Sequence, residues 1–132
     1  MSDDATTQEN WDPKTQVVWF DVPCVDLDRA IAFYSAVLDC EVEKQGGGGF
    51  FMGVLPHGGT AIGGCLAVLD DTAPSETGVL IYLNCEGRLE DAVAKVEPNG
   101  GRVQRPVHAI GTHGSRAIII DSEGNRVALH SN

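Results

Sequence analysis

From Gln16 onward the chain alternates short apolar runs with polar turns, and two periodicities take turns along it. Gln16–Cys24 (QVVWFDVPC) is dense in β-branched and aromatic residues and predicts a strand. Behind it, Leu27, Ala30, Ile31, Tyr34, Val37 and Leu38 recur at i, i+3, i+4, i+7, i+10 and i+11, the spacing of an amphipathic helix with one buried face. Asp26 is placed to cap that helix, Asp28 puts negative charge in its first turn, and Asp39 tolerates the left-handed conformation that ends it. Glu41–Gln45 and Phe50–Leu55 predict two strands joined by a turn at Gly46–Gly49. Residues 56–60 (PHGGT) form another turn, and Ala61–Leu69 predicts a further strand carrying Gly63 and Gly64. The polar stretch Asp70–Gly78 reads as a linker.

After the linker the pattern restarts. Val79–Cys85 predicts a strand, and Leu89, Ala92, Val93 and Val96 repeat i, i+3, i+4, i+7 on a shorter helix stopped by Pro98–Gly101. Arg102–His108 is strand-like with Pro106 inside it, which fits an edge. Ser115–Asp121 and Arg126–His130 predict the last two strands, flanking a turn at Ser122–Asn125. The helices of the two halves, Leu27–Ala32 and Leu89–Ala94, align at a shift of 62. The preceding strands align at 61 or 62. The shift of 61 pairs Phe20 with Ile81, Val22 with Leu83 and Cys24 with Cys85, a wholly apolar set that predicts the helix-facing core. Trp19, Asp21, Pro23 and Leu80, Tyr82, Asn84 then share the opposite faces. The chain therefore reads as one domain of two βαβββ modules, 16–69 and 79–131, each too small to stand alone.

Composition removes several classes of function. Nine Lys+Arg against nineteen Asp+Glu give a net charge of −10, which repels phosphate backbones and anionic lipid and argues against nucleic-acid and membrane partners. Residues 1–15 read as a mobile acidic arm with neither a basic n-region nor an apolar h-region, so the expectation is no secretory signal and a cytoplasmic location. Cys24, Cys40, Cys65 and Cys85 are too widely spaced for a C-x-x-C pair and read as small buried hydrophobes. The glycine run precedes a strand rather than a helix and lacks Gly-Lys-Ser/Thr, so it is not read as a phosphate cradle.

Two stretches carry a family likeness. Asp26-Leu27-Asp28-Arg29-Ala30-Ile31-Ala32-Phe33-Tyr34 and Asp121-Ser122-Glu123-Gly124-Asn125-Arg126-Val127-Ala128-Leu129-His130, set in a repeated β-α-β-β-β unit, resemble the vicinal oxygen chelate superfamily of glyoxalases, bleomycin-resistance proteins and extradiol dioxygenases. Asp39 departs from the pattern, since many members carry Gly there. The resemblance implies an α+β fold in which the two modules form a cup-shaped mixed sheet with the helices outside and a ligand inside. It also implies, for metal-dependent members, one ligand from the first and last strands of each module. The corresponding positions here are Trp19, Leu80 (or Ile81) and Ala128, and strand Ala61–Leu69 offers only Cys65. None of these is His, Glu or Gln, so the expectation is no metal and no cofactor, because a divalent ion needs several converging N or O donors.

Eight residues are expected on the cup face as ligand contacts: Trp19, Asp21, Phe51, Tyr82, Asn84, Arg126, Ala128 and His130. Trp19 reads either as a stacking platform or as a packing residue filling the volume of a metal. Asp21 and His130 are titratable but insufficient as a metal site, and no catalytic residue is assigned; His57 and His113 read as solvated turn residues. The partner expected is a small organic molecule, bound by a metal-free protein of the bleomycin-resistance type. The alternative is a lyase or dioxygenase of the same superfamily with a relocated site. A homodimer is also expected, through an apolar surface of Phe51, Val54, Ile62 and Leu66.

Overall fold

A computed structural model describes residues 14–58 and 62–132; most of the expected acidic arm, and Ala61 of the fourth strand, lie outside the described residues. The element order is β1 (Trp19–Pro23), α1 (Leu27–Val37), β2 (Glu43–Gly47), β3 (Phe50–Val54), β4 (Gly63–Ala67), β5 (Tyr82–Asn84), α2 (Leu89–Ala94), β6 (Arg102–Ala109), β7 (Ser115–Ile120) and β8 (Arg126–Ser131), with short 3-10 turns at Glu97–Asn99 and Gly111–His113. Each module makes its own four-stranded sheet, ordered β1-β4-β3-β2 and β5-β8-β7-β6. Both are mixed: β1 runs parallel to β4 and β5 parallel to β8, while the other neighbours are antiparallel. The two open sheets form the cup. None of the described helices is long and apolar enough to cross a membrane.

The strand faces follow the 61-residue shift. Val22, Cys24, Leu83 and Cys85 are buried in the core with Phe33, Tyr34 and Val37 of α1, and Phe20 and Ile81 pack against it. Trp19, Asp21, Tyr82 and Asn84 are exposed on the opposite, concave side. Asp26 caps α1 by accepting from the Arg29 amide at 3.1 Å, and Asp39 closes the helix in the left-handed region at φ 52°. The β2–β3 hairpin turns on Gly48 and Gly49, both at positive φ, which explains why this turn needs glycine.

Two expectations are corrected, on strand 79–85 and on Leu66, while the edge position expected for Arg102–His108 holds. Strand 79–85 shrinks to three residues because Val79 stands almost wholly in solvent and has no ladder partner. Strand β6 is broken by register shifts either side of Arg105, as expected of an edge strand whose Pro106 lacks an N–H. Leu66 cannot belong to an exposed dimer surface, since it is fully buried on the helix-facing side of β4, beside Val22 of β1.

The turn between β7 and β8 joins the modules. Asp121 is buried and accepts from Tyr34 Oη at 2.5 Å, from the amides of Glu123 and Asn125 at 2.8 and 2.9 Å, and from Asn125 Nδ2 at 3.1 Å. Asn125 Nδ2 also donates to the Pro23 carbonyl at 2.7 Å, and its Oδ1 accepts from the Ser75 amide of the linker at 3.2 Å. Glu123 Oε1 accepts the amides of Val25 and Asp26 at 2.9 and 2.8 Å, and Arg29 grips both carboxylate oxygens, through Nε at 2.7 Å and Nη2 at 3.0 Å. The family-like terminal motif is therefore a joint, fixing the β7–β8 turn against the start of α1.

Burial alone would raise the Glu123 carboxyl; the Arg29 guanidinium, the Asp26 amide, the Ser122 hydroxyl and the Val25 amide outweigh it and hold the group at about 2, against 4.5 for an ordinary glutamate. Its folded pKa lies below the unfolded one, so its contribution is complete above about 4.5 and is lost as the pH falls toward about 2. With the Arg29 partner half in solvent, about 2 kcal/mol should disappear across that window. Urea midpoints measured along an acid series should show the loss, and Glu123→Gln should flatten that part of the curve.

Candidate functional site

On the first sheet the concave residues are Trp19, Asp21 and Pro23 of β1, with Gly63, Cys65 and Ala67 opposite them on β4. Trp19 Nε1 donates to Asp21 Oδ1 at 3.2 Å, and the Cys65 thiol donates to the same oxygen at 3.3 Å. Burial and then the Asp21 carboxylate push the Cys65 thiol up to about 11, so it is a neutral donor, not a thiolate. Gly63 leaves room for the indole: a Cβ there would stand 2.8 Å from Trp19 Cζ3 and 2.8 Å from His57 Cδ2. His57, exposed in its turn as expected, meets Trp19 edge to face at 6.4 Å between centroids.

On the second sheet the concave residues are Tyr82 and Asn84 of β5, Arg126, Ala128 and His130 of β8, and Arg116 and Ile118 of β7. Ala128 and Ile118 are fully buried and make the floor. Arg116 reaches across β8, on the face that carries Ala128 and His130, and donates through Nη1 to the Tyr82 hydroxyl. Its Nε donates to His108 Nε2 at 3.0 Å. A guanidinium cannot accept, so His108 Nε2 is the acceptor and the ring carries its proton on Nδ1, donated to the Pro106 carbonyl at 2.8 Å. His130 Nε2 donates to the His113 carbonyl at 2.6 Å, and its ring lies against Tyr82 at 6.1 Å. Arg126 donates to Gln104 Oε1 at 2.8 Å. Asn84 serves the chain itself, its Oδ1 accepting from the Glu86 amide at 2.9 Å.

A cavity of about 500 Å³ near β1, β4 and β5 lies mainly on the helix-facing side, lined by Phe20, Leu38, Cys40, Gly64, Ile81 and Leu83, and reaches Tyr82 and Asn84. A second, of about 220 Å³, is lined by Asp21, Arg126 and the linker residues Thr72, Ala73 and Ser75.

Seven of the eight expected residues thus lie on the concave side, five of them (Tyr82, Asn84, Arg126, Ala128 and His130) on the face that also carries Arg116. Phe51 does not. The β2–β3 hairpin pairs Gly46 with Phe51 and Lys44 with Gly53, and Gly53 packs on Ile31 of α1, so Phe51 is on the helix side. There it carries the Lys44 ammonium over its ring at 5.3 Å. The sequence pattern does not single out Arg116, and it brings His108 to the site only if the end of its strand folds inward, as it does here. Pairing about the 121–125 turn sets 116 opposite 130, so the placement of His130 already implied that of Arg116.

A divalent metal does not fit the expected positions. Trp19 and Ala128 lie on the concave face without a donor atom for a cation, and Leu80 stands before β5. Among the described residues no three His, Cys, Asp or Glu side chains come together. The guanidinium of Arg116 on the Ala128 face also opposes a second positive charge there.

Residues 16–129 match the family model described as Glyoxalase/Bleomycin resistance protein/Dioxygenase superfamily. The chain belongs to that superfamily. Among curated proteins none matches. Solved structures of the superfamily share its fold: a glyoxalase/bleomycin resistance protein from Albidiferax ferrireducens T118 superposes with a TM-score of 0.71 at 16% identity, covering 89% of this chain and 99% of that one. A glyoxalase-related enzyme from Fulvimarina pelagi gives 0.67 at 16% identity, over 89% and 88% of the two chains. A lactoylglutathione lyase from Agrobacterium tumefaciens gives 0.60 at 16% identity, over 92% and 96%. At these identities the likeness extends to the glyoxalase fold and no further.

Proposed function

We propose that this glyoxalase-superfamily chain is a small-molecule-binding protein that holds an organic ligand on its concave face without a metal ion. One observation carries the reading. The face on which metal-dependent relatives would gather donor side chains here presents two exposed aromatic rings, Trp19 and Tyr82, each anchored by a polar neighbour, and no cluster of donors among the described residues. Two partly exposed rings at facing sheet edges, with fixed hydrogen-bonding groups beside them, suit a flat, largely apolar ligand. A lyase or dioxygenase with a relocated metal site would need several converging donors, and Asp21 with Cys65 offers only a carboxylate already bonded to a neutral thiol.

Elemental analysis of protein purified without chelator and without a nickel column tests the reading. The expected result is less than about one-tenth of an equivalent of any transition metal, since stoichiometric retention requires a proper donor set. A stoichiometric metal that survives dialysis would overturn it.

A further inference from the structure

Positive charge is distributed unevenly in this acidic chain. Against a net charge of −10, the second sheet carries Arg105, Arg116 and Arg126 toward the cup. The ion pairs among the described residues involve Arg29, Lys44 and Arg102, and none involves these three. Arg102, on the same sheet, is the contrast: its guanidinium is bound to both oxygens of Glu76, at 3.1 and 3.0 Å.

Arg116 is held in place without being neutralised. Its two hydrogen-bond partners, the His108 imidazole and the Tyr82 hydroxyl, are both uncharged acceptors, and its guanidinium carbon lies 5.8 Å from the centre of the Tyr82 ring. Since Tyr82 Oη accepts from Arg116, its own proton is free to be donated outward. Both Nη groups of Arg116 keep unused N–H bonds, because Nε and one Nη1 proton satisfy the two contacts. The result is a preorganised cluster of donors carrying permanent charge, with no carboxylate among the described residues paired to it. Such a cluster stabilises an oxygen anion and gains little from a neutral acceptor.

We propose that Arg116, oriented by His108 and Tyr82, binds the anionic oxygens of a ligand (a carboxylate or a phosphate ester) whose apolar body lies toward the aromatic rings of the cup. The inference rests on the concave face being the ligand site. It adds the ligand's charge and the residue that reads it. The guanidinium then supplies, as a fixed monocation, the positive charge that a metal supplies in other members of the fold, and a planar fork favours a group with two oxygens.

The test is a titration of the full chain with benzoate, phenyl phosphate and benzamide, followed by backbone amide shifts in proton–nitrogen correlation NMR. Probes this small should bind at roughly millimolar Kd, moving the amides of β7, β8 and Tyr82 saturably. Benzoate or phenyl phosphate should bind about tenfold or more tightly than benzamide, and the tighter of the two tells carboxylate from phosphate. Arg116→Gln should weaken that anion about tenfold, Arg116→Lys should fall between, and Arg102→Gln should change it less than about twofold. If Arg116→Gln unfolds, Arg116→Lys with Arg105→Gln gives the same comparison. Benzamide binding the same face as tightly as the anions, or an anion affinity indifferent to Arg116, would overturn the inference while leaving a concave-face site intact. Shifts confined to other elements, or absent with every probe, would overturn both.

Discussion

Replacing Asp121 with alanine should cost about 4 kcal/mol or more, because it strands several buried donors at once, each worth roughly 1–3 kcal/mol when left unpaired. The donors are the Tyr34 hydroxyl, on a side chain with no exposed surface, and the amides of Glu123 and Asn125. Burial, and then the Asp121 charge, push the Tyr34 phenol well above its ordinary range, which keeps it a donor to Asp121. The loss is a large part of the roughly 5–15 kcal/mol that holds a domain of this size. Tyr34→Phe is the informative partner. It removes one donor and leaves Asp121 with three, so it should cost only about 1–2 kcal/mol. Urea denaturation followed by circular dichroism gives both values, and equal costs for the two variants would refute the joint described for this turn.

The second large effect is expected at Phe33. Its ring is fully buried, lies edge to face with Tyr34 at 5.0 Å between centroids, and fills the space over Gly101. Phe33→Ala should destabilise by about 3–5 kcal/mol, from lost apolar burial and the cavity left behind. The same contact can be probed from the other side. A Cβ on Gly101 would stand 2.5 Å from the Ile120 carbonyl oxygen, 2.8 Å from Phe33 Cε1 and 3.0 Å from Val96 Cγ1, all in buried residues. Backbone cannot yield as a flexible side chain does, so Gly101→Ala should cost about 2 kcal/mol or more. Thermal denaturation of both variants checks the pair, and a Gly101→Ala protein of unchanged stability would mean that the helix–sheet contact is looser than described.

The fold was legible where periodicity was unambiguous. Apolar residues two apart on β1 and β5 assign Phe20, Val22, Ile81 and Leu83 to the core, and so place Trp19 and Tyr82 in the cup. Period two could not decide β3, where Phe50 and Phe51 are adjacent. Which ring faces the helix depends on a hairpin register set by Gly48 and Gly49, and Phe51 fell on the wrong side. On β7, Ile118-Ile119-Ile120 shows no alternation, so periodicity assigns Arg116 no face, although its pairing with His130 across the hairpin fixes one.

The terminal motif carries the family likeness in sequence, but its physical role depends on distant partners. Asp121, Glu123 and Asn125 find partners 87, 94 and 102 residues earlier in the chain, at Tyr34, Arg29 and Pro23. No local pattern encodes contacts at that separation. The lone charges of the cup belong to the same class: that Arg105, Arg116 and Arg126 are without carboxylate partners among the described residues emerges only when both sheets are folded.

The central claim is that the concave face binds an organic ligand directly, with side chains in place of a metal. A crystal structure after soaking in a mixture of flat aromatic fragments, acids and amides together, tests it most directly. The expected result is fragment density against Trp19 or Tyr82 with the acid groups turned to Arg116, and no metal ion on β1, β4, β5 or β8. A metal held by those strands, or fragments gathered on the helix side around Phe51 with the cup left empty, would contradict it.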